Sequence, residues 1–180
     1  VLVVTPYYNK PTQEGLYRHY EYLASRVEIP MVLYNVPGRT GVSIAPETVA
    51  RLSKIDTIVA IKEASGSMDQ ADQIMQLCDL PVISGEDSLT FPLIAAGARG
   101  VISVIANIVP RLVKGMVSAA LDGNMEEARS LHKTLYPLSK VVFIETNPIP
   151  VKTALGWMGK LTPEFRMPLC EMRQENAKKL

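Results

Sequence analysis

The chain has 180 residues, 47% of them hydrophobic and 21% charged, and a formal net charge of +1. So even a balance gives no basic field for nucleic acid, while the apolar fraction is ample for a packed core. The charge-free stretches around Leu89–Ala98 and Val101–Pro110 are broken well short of a membrane span, so neither nucleic-acid nor membrane partners are expected. The opening Val1-Leu2-Val3-Val4 has no basic lead-in and no small-residue cleavage site, and does not read as a secretion signal. Cys78 and Cys170 lie far apart without a paired motif and fit reduced thiols, hence a cytoplasmic location.

Taken in order, short runs rich in Val and Ile alternate with amphipathic segments. Val1 to Tyr8 reads as a strand, and Thr12 caps a helix through Arg26. Pro30 to Asn35 is a second strand, followed by a helix with Pro46 in its first turn. Ile58 to Ala64 is a third, and Ser67 with Gln70 forms a capping box for a helix ending near Cys78. Pro81 to Gly85 is a fourth strand, Asp87 or Ser88 caps a helix through Phe91 to Ala96, and Gly100 to Val104 is a fifth strand. Runs this apolar suit parallel strands buried on both faces, the pattern of an α/β fold with right-handed crossovers. Beyond Val104 the chain turns helical: Pro110 to Leu121, stopped at Gly123; a long helix opened by Asn124 with Glu127; Pro148 to Met158; and a last helix from Thr162-Pro163. These strands are too few to close an eight-stranded barrel, which takes roughly 250 residues, so either the sheet is open or about three βα units precede it. The second alternative is the expectation.

Lys62 ends an otherwise apolar strand. Period-two alternation places Ile58, Ala60 and Lys62 on one face, a poor position for a solvated cation. Desolvation lowers an amine's pKa, and the neutral amine is the nucleophile that forms a Schiff base with a carbonyl. Read alone, Lys62 is equally a strand-end lysine that reaches solvent. Other polar residues gather at the same strand ends: Tyr7-Tyr8, Tyr34-Asn35, Ser84-Gly85-Glu86 and Ile102-Ser103. Tyr34, one strand from Lys62, is either a proton relay or a packing residue. Arg39, in the loop Val36-Pro37-Gly38-Arg39-Thr40-Gly41, is either a carboxylate clamp or a surface arginine. Glu63 alternates away from Lys62 and reads as structural. Lys152 is a competing amine outside the cluster. His19 and His132 sit on separate helices without a second ligand, and no phosphate loop appears, so neither metal nor organic cofactor is expected.

The segments Thr5-Pro6-Tyr7-Tyr8-Asn9, Tyr34-Asn35-Val36-Pro37-Gly38-Arg39-Thr40-Gly41, Ile61-Lys62-Glu63-Ala64-Ser65-Gly66, Gly100-Val101-Ile102-Ser103-Val104 and Asn147-Pro148-Ile149-Pro150-Val151-Lys152 closely resemble the dihydrodipicolinate synthase family of pyruvate-dependent class I aldolases. The resemblance runs through the whole chain in order. It implies strands four to eight of a TIM (β/α)8 barrel over residues 1–123 and a C-terminal helical domain over 124–180. It also implies a lyase that condenses pyruvate with L-aspartate 4-semialdehyde to give 4-hydroxy-tetrahydrodipicolinate, in lysine and diaminopimelate biosynthesis, as a homotetramer of tight dimers.

Carried over by position, the resemblance makes Lys62 the Schiff-base lysine and Tyr34 a relay tyrosine. Tyr8 becomes the relay tyrosine that reaches a neighbouring subunit's site, Arg39 the binder of the semialdehyde carboxylate, and Gly85 and Ile102 the lining of the pyruvate pocket. Tyr7 matches a position near the inhibitor lysine in regulated members. The family's Thr-Thr pair has no counterpart here. Rival expectations are an aldolase acting on N-acetylneuraminate or 2-keto-3-deoxy sugar acids, against which Arg39 argues, and a noncatalytic fragment.

Overall fold

The computed structural model describes residues 1–180 and divides into two compact units, Val1–Ile102 and Ser103–Leu180. The first alternates strands β1 (Leu2–Val4), β2 (Met31–Asn35), β3 (Ile58–Glu63) and β4 (Val82–Ser84) with helices α1 (Gln13–Ala24), α2 (Pro37–Thr40), α3 (Pro46–Leu52), α4 (Met68–Leu77) and α5 (Thr90–Ala96). The four strands pair in parallel in the order β1-β2-β3-β4, as βα units with short loops require. The expected fifth strand is reduced to one parallel bridge, Ser84 to Val101. Its backbone still follows β4: Arg99 donates to Val82 O at 2.8 Å, Ser84 to Gly100 O at 2.8 Å and Ile102 to Ser84 O at 2.9 Å. Gly100, at φ +154, departs from extended geometry at the start of the segment.

Between β2 and β3 the register shifts. Met31 lies opposite Ile58, but Val32 lies opposite Ala60, so Val59 is an extra residue and is 41% exposed. This moves Ile58 off the Lys62 face expected from simple alternation. Ile58 joins Met31, Leu33 and Ile61 in the core beneath the helices, while Ala60 and Lys62 point to the other face. The core is filled from α1 by Leu16 and Tyr20, from α3 by Val49 and Leu52, and from α4 by Ala71 and Ile74.

In the first unit the helix starts follow the sequence with two exceptions. Thr12 Oγ1 accepts from Gly15 N at 3.2 Å, and Pro46 opens α3. Ser67 Oγ accepts from Gln70 N at 3.1 Å, but the Gln70 side chain turns to Ile44 O at 3.0 Å instead of completing a capping box. Neither Asp87 nor Ser88 caps α5; both lie in a 3₁₀ turn, Asp87–Leu89, that runs into it.

The second unit pairs α6 (Pro110–Leu121) with α7 (Met125–Val141) across a tight turn, where Gly123 takes φ +82 and Asn124 N donates to Ala119 O at 2.8 Å. Asn124 caps α7 through Glu127 N at 3.4 Å. Helices α6 and α7 pack together and both lie in this unit, which begins at Ser103. Helix α8 (Ile149–Trp157) follows. The helix expected from Thr162 does not form: the stretch carries Pro163 and Pro168, which lack donors, and only α9 (Gln174–Ala177) is helical near the end. No helix is long and apolar enough to cross a membrane.

The register shift makes a prediction about where stability resides. Ile61→Ala, at a fully buried core position, should lower unfolding free energy by about 2–5 kcal/mol in urea titrations. Val59→Ala, at the extra residue, should cost under about 1 kcal/mol.

Candidate active site

The face of the sheet away from the helices carries one residue per strand in a row: Val4, Tyr34, Lys62 and Ile83 are successive register partners. Parallel pairing thus sets Lys62 beside Tyr34, and the Lys62 Nζ lies 4.2 Å from the centre of the Tyr34 ring. Both side chains are half-buried. Burial is the main cause that pushes the amine of Lys62 below its ordinary value of 10.5; Asp87 and Glu86 pull it back up and Arg39 presses it further down. The ring face favours the ammonium, but loss of solvent outweighs it. Burial pushes the Tyr34 phenol the other way, above 10.0, with Arg39 opposing and Glu86 adding to the rise. At neutral pH Tyr34 is therefore a protonated donor beside an amine that sheds its proton more readily than a free lysine.

Gly85 follows β4 and its N–H donates to Glu63 O at 2.7 Å. A Cβ here would lie 2.5 Å from Ala64 Cβ and 3.1 Å from Lys62 Cε. Only glycine lets the end of β4 close against the lysine stem. Ile102, one strand further, is 39% exposed. Arg39 is not in an irregular loop but in the single-turn helix α2, closed by Gly41 at φ +72. It is exposed, and its charge reaches both Lys62 and Tyr34. The strand ends thus bring together Lys62, Tyr34, Arg39 and Gly85, with Asp87 and Glu86 as the local negative charges. The sequence places Glu86 among the strand-end residues and offers Asp87 only as a helix cap; that both bear on the charge of Lys62 emerges from the structure.

Tyr7 and Tyr8 lie past the end of β1, 68% and 92% exposed, and Tyr8 holds φ +40. Nothing within the unit covers Tyr8. Lys152 is elsewhere engaged: its ammonium donates to Glu164 O and sits 5.2 Å from the Phe165 ring centre. His19 packs edge-on against Tyr20 at 5.3 Å, and His132 against Tyr136 at 5.9 Å.

An amine kept partly from water, a phenol beside it and an arginine at the rim suit imine chemistry on a small keto acid. Comparison with known proteins points the same way. The family model described as the dihydrodipicolinate synthetase family matches residues 1–180. The chain is 58% identical to the 4-hydroxy-tetrahydrodipicolinate synthase of Geobacter sulfurreducens over 182 residues, which is 100% of this chain and 63% of that protein. The crystal structure of dihydrodipicolinate synthase from Aquifex aeolicus superposes with a TM-score of 0.96 at 51% identity, over 99% of this chain and 62% of that one. The enzyme of Acinetobacter baumannii, solved in complex with pyruvate, superposes with a TM-score of 0.96 at 42% identity, over 98% and 62%. The chain thus spans somewhat under two thirds of the length of the relatives it matches.

The depressed pKa of Lys62 has a stability consequence whose sign is fixed. The unfolded chain binds the proton more tightly than the folded one, so the cost of burying the ammonium is present below the folded pKa and is relieved as pH rises towards 10.5. Lys62→Met should therefore raise the melting temperature at pH 7, with an increment that shrinks in melts taken at progressively alkaline pH. Gly85→Ala should cost about 1–3 kcal/mol in urea titrations through crowding of Ala64 and Lys62.

Proposed function

The chain belongs to the dihydrodipicolinate synthetase family, and from that premise we propose that it supplies the Schiff-base centre of a lyase joining pyruvate to L-aspartate 4-semialdehyde. The observation that carries the reading is Lys62 itself: a half-buried amine with a depressed pKa, 4.2 Å from the ring of its register partner Tyr34. Neutral Lys62 attacks the keto carbon of pyruvate. Tyr34, still protonated, donates to the departing oxygen, water leaves and the imine forms. Loss of a methyl proton then gives an enamine, whose carbon adds to the aldehyde of the second substrate.

Arg39 is the group that would hold the semialdehyde carboxylate: it is exposed at the rim, and its charge reaches the reacting pair. Gly85 and Ile102 would line the pyruvate pocket, Gly85 because its missing side chain leaves room beside Lys62 Cε. Tyr8 would serve a second subunit. Its 92% exposure suits a side chain that completes a site across an interface, and with it goes assembly through tight dimers into a homotetramer. The arrangement of βα units followed by helices is consistent with strands four to eight of a (β/α)8 barrel, with 1–123 as its barrel part and 124–180 as a helical tail. The chemistry needs no metal or organic cofactor, and a cytoplasmic location fits the substrates.

Borohydride added with pyruvate to the intact enzyme should trap a reduced adduct on the peptide containing Ile61-Lys62-Glu63, and Lys62→Arg should abolish it; labelling at Lys152 instead would sink the assignment. Arg39→Ala should weaken use of the semialdehyde by about 2–5 kcal/mol of transition-state free energy while leaving imine trapping nearly unchanged. An equal loss in both half-reactions would make Arg39 a structural residue.

A further inference from the structure

One register step beyond the row that holds Lys62 lies a second row, turned to the helix side and wholly polar: Asn35, Glu63 and Ser84 are 0%, 2% and 0% exposed, with Thr5, just past the end of β1, also fully buried. Three buried polar register partners abreast are unusual where the neighbouring row beneath the helices is Val3, Leu33, Ile61 and Val82. Glu63 is the hub. Asn35 Nδ2 donates to Glu63 Oε2 at 2.8 Å, Ser65 N to Oε1 at 2.6 Å, and Gln70 Nε2 to Oε2 at 3.4 Å. Asn35 Oδ1 in turn accepts from Ile44 N at 3.0 Å. The ends of β2 and β3, the loop before α3 and the start of α4 are thus tied at one carboxylate. That accounts for the Gln70 side chain leaving its cap.

We propose that Glu63, through its hydrogen bond to Asn35, is a positioning residue that locks the register of β2 and β3 at the step that sets the Lys62 amine against Tyr34. The need for such a lock is written into the same strand pair: the register has already shifted by one residue at Val59. A compensating slip further along would turn Tyr34 and Lys62 to opposite faces. Glu63 and Asn35 immediately follow Lys62 and Tyr34, so the bond acts at the adjacent register pair. The inference rests on the functional reading above for what the amine does, but not for the lock itself.

The test uses the intact enzyme and two readouts. One is the rate at which pyruvate and borohydride trap Lys62, counted per folded molecule. The other, which needs no substrate, is the pH midpoint of reductive methylation at Lys62, the amine that Tyr34, Arg39, Glu86 and Asp87 surround. Glu63→Gln turns an amide N–H towards one of the converging donors. It should slow trapping about 10–100-fold, the cost of a small misplacement of a reacting group, and move the methylation midpoint towards that of a free lysine. Combining it with Asn35→Asp reverses the polarity of the pair, since the new carboxylate still accepts from Ile44 N and now accepts from the introduced amide; both readouts should return most of the way to wild type. If Glu63→Gln does not fold, Gln70→Met removes only the outermost donor and should slow trapping by a few fold. A variant that melts lower but traps and titrates as wild type when folded would overturn the proposal, as would a double variant no better than Glu63→Gln. Absence of trapping in the wild type would instead refute the functional reading, leaving the methylation midpoint to decide the lock.

Discussion

The structure depends on how β2 is set against β3. These two strands carry Tyr34 and Lys62 as register partners, and everything chemical about the site follows from that pairing. In a sheet the side-chain period is two, so a one-residue error does not merely loosen such a pair; it sends one partner to the opposite face. Here the error is half made already, because Val59 is an extra residue and the register below it differs from the register above. The upper half must therefore be held by something other than the apolar pattern of the lower half. A buried carboxylate that accepts from Asn35 across the strand pair is well suited to this, since any other register would take that donor away, at a cost of about 1–3 kcal/mol. Apolar partners in the same row would tolerate a slip far better.

The two faces of the sheet divide the work. Helices α1, α3 and α4 cover one face and bury Leu33, Ile61 and Val82 with their own apolar sides, giving the rigid floor that a site at strand ends requires. The other face carries the reacting pair. Gly85 couples the two, since its N–H holds Glu63 O while its bare Cα leaves space for Lys62 Cε. A strand end that must close on both a backbone carbonyl and a lysine stem has no room for a side chain.

Much of this was legible in the sequence, for reasons that differ from residue to residue. Lys62 and Tyr34 could be placed side by side because βα units laid down in order make neighbours of successive strands. Thr12, Pro46 and Asn124 mark helix starts because capping is local chemistry. The failures are places where tertiary partners overrule local pattern. Ile58 changes face because the register shift at Val59 depends on β2, which simple alternation along one strand cannot see. Gln70 leaves its cap because Glu63, Ser43 and Ile44 compete for its amide. The segment at Gly100 keeps its hydrogen bonds to β4 but earns no regular strand, and the stretch after Thr162 carries too many prolines for the cap signal to matter. Asp87 reads in sequence as a helix cap and Glu86 as one more polar residue at a strand end, because nothing local shows that their charge falls on Lys62.

Placing the carboxylate behind the strand, instead of beside the amine, resolves a conflict inherent in imine catalysis. An acid in contact with Lys62 would order it well but would also stabilise the ammonium and raise its pKa, removing the neutral nucleophile. Glu63 adjoins Lys62 in sequence, yet the pleat turns the two side chains to opposite faces, and the charges that bear on Lys62 are Asp87, Glu86 and Arg39, not Glu63. The carboxylate can therefore order the backbone that carries the amine while leaving burial as the dominant influence on its protonation. Adjacency in sequence with opposition in space lets one short segment, Ile61-Lys62-Glu63-Ala64, supply both the reactive group and the structure that aims it.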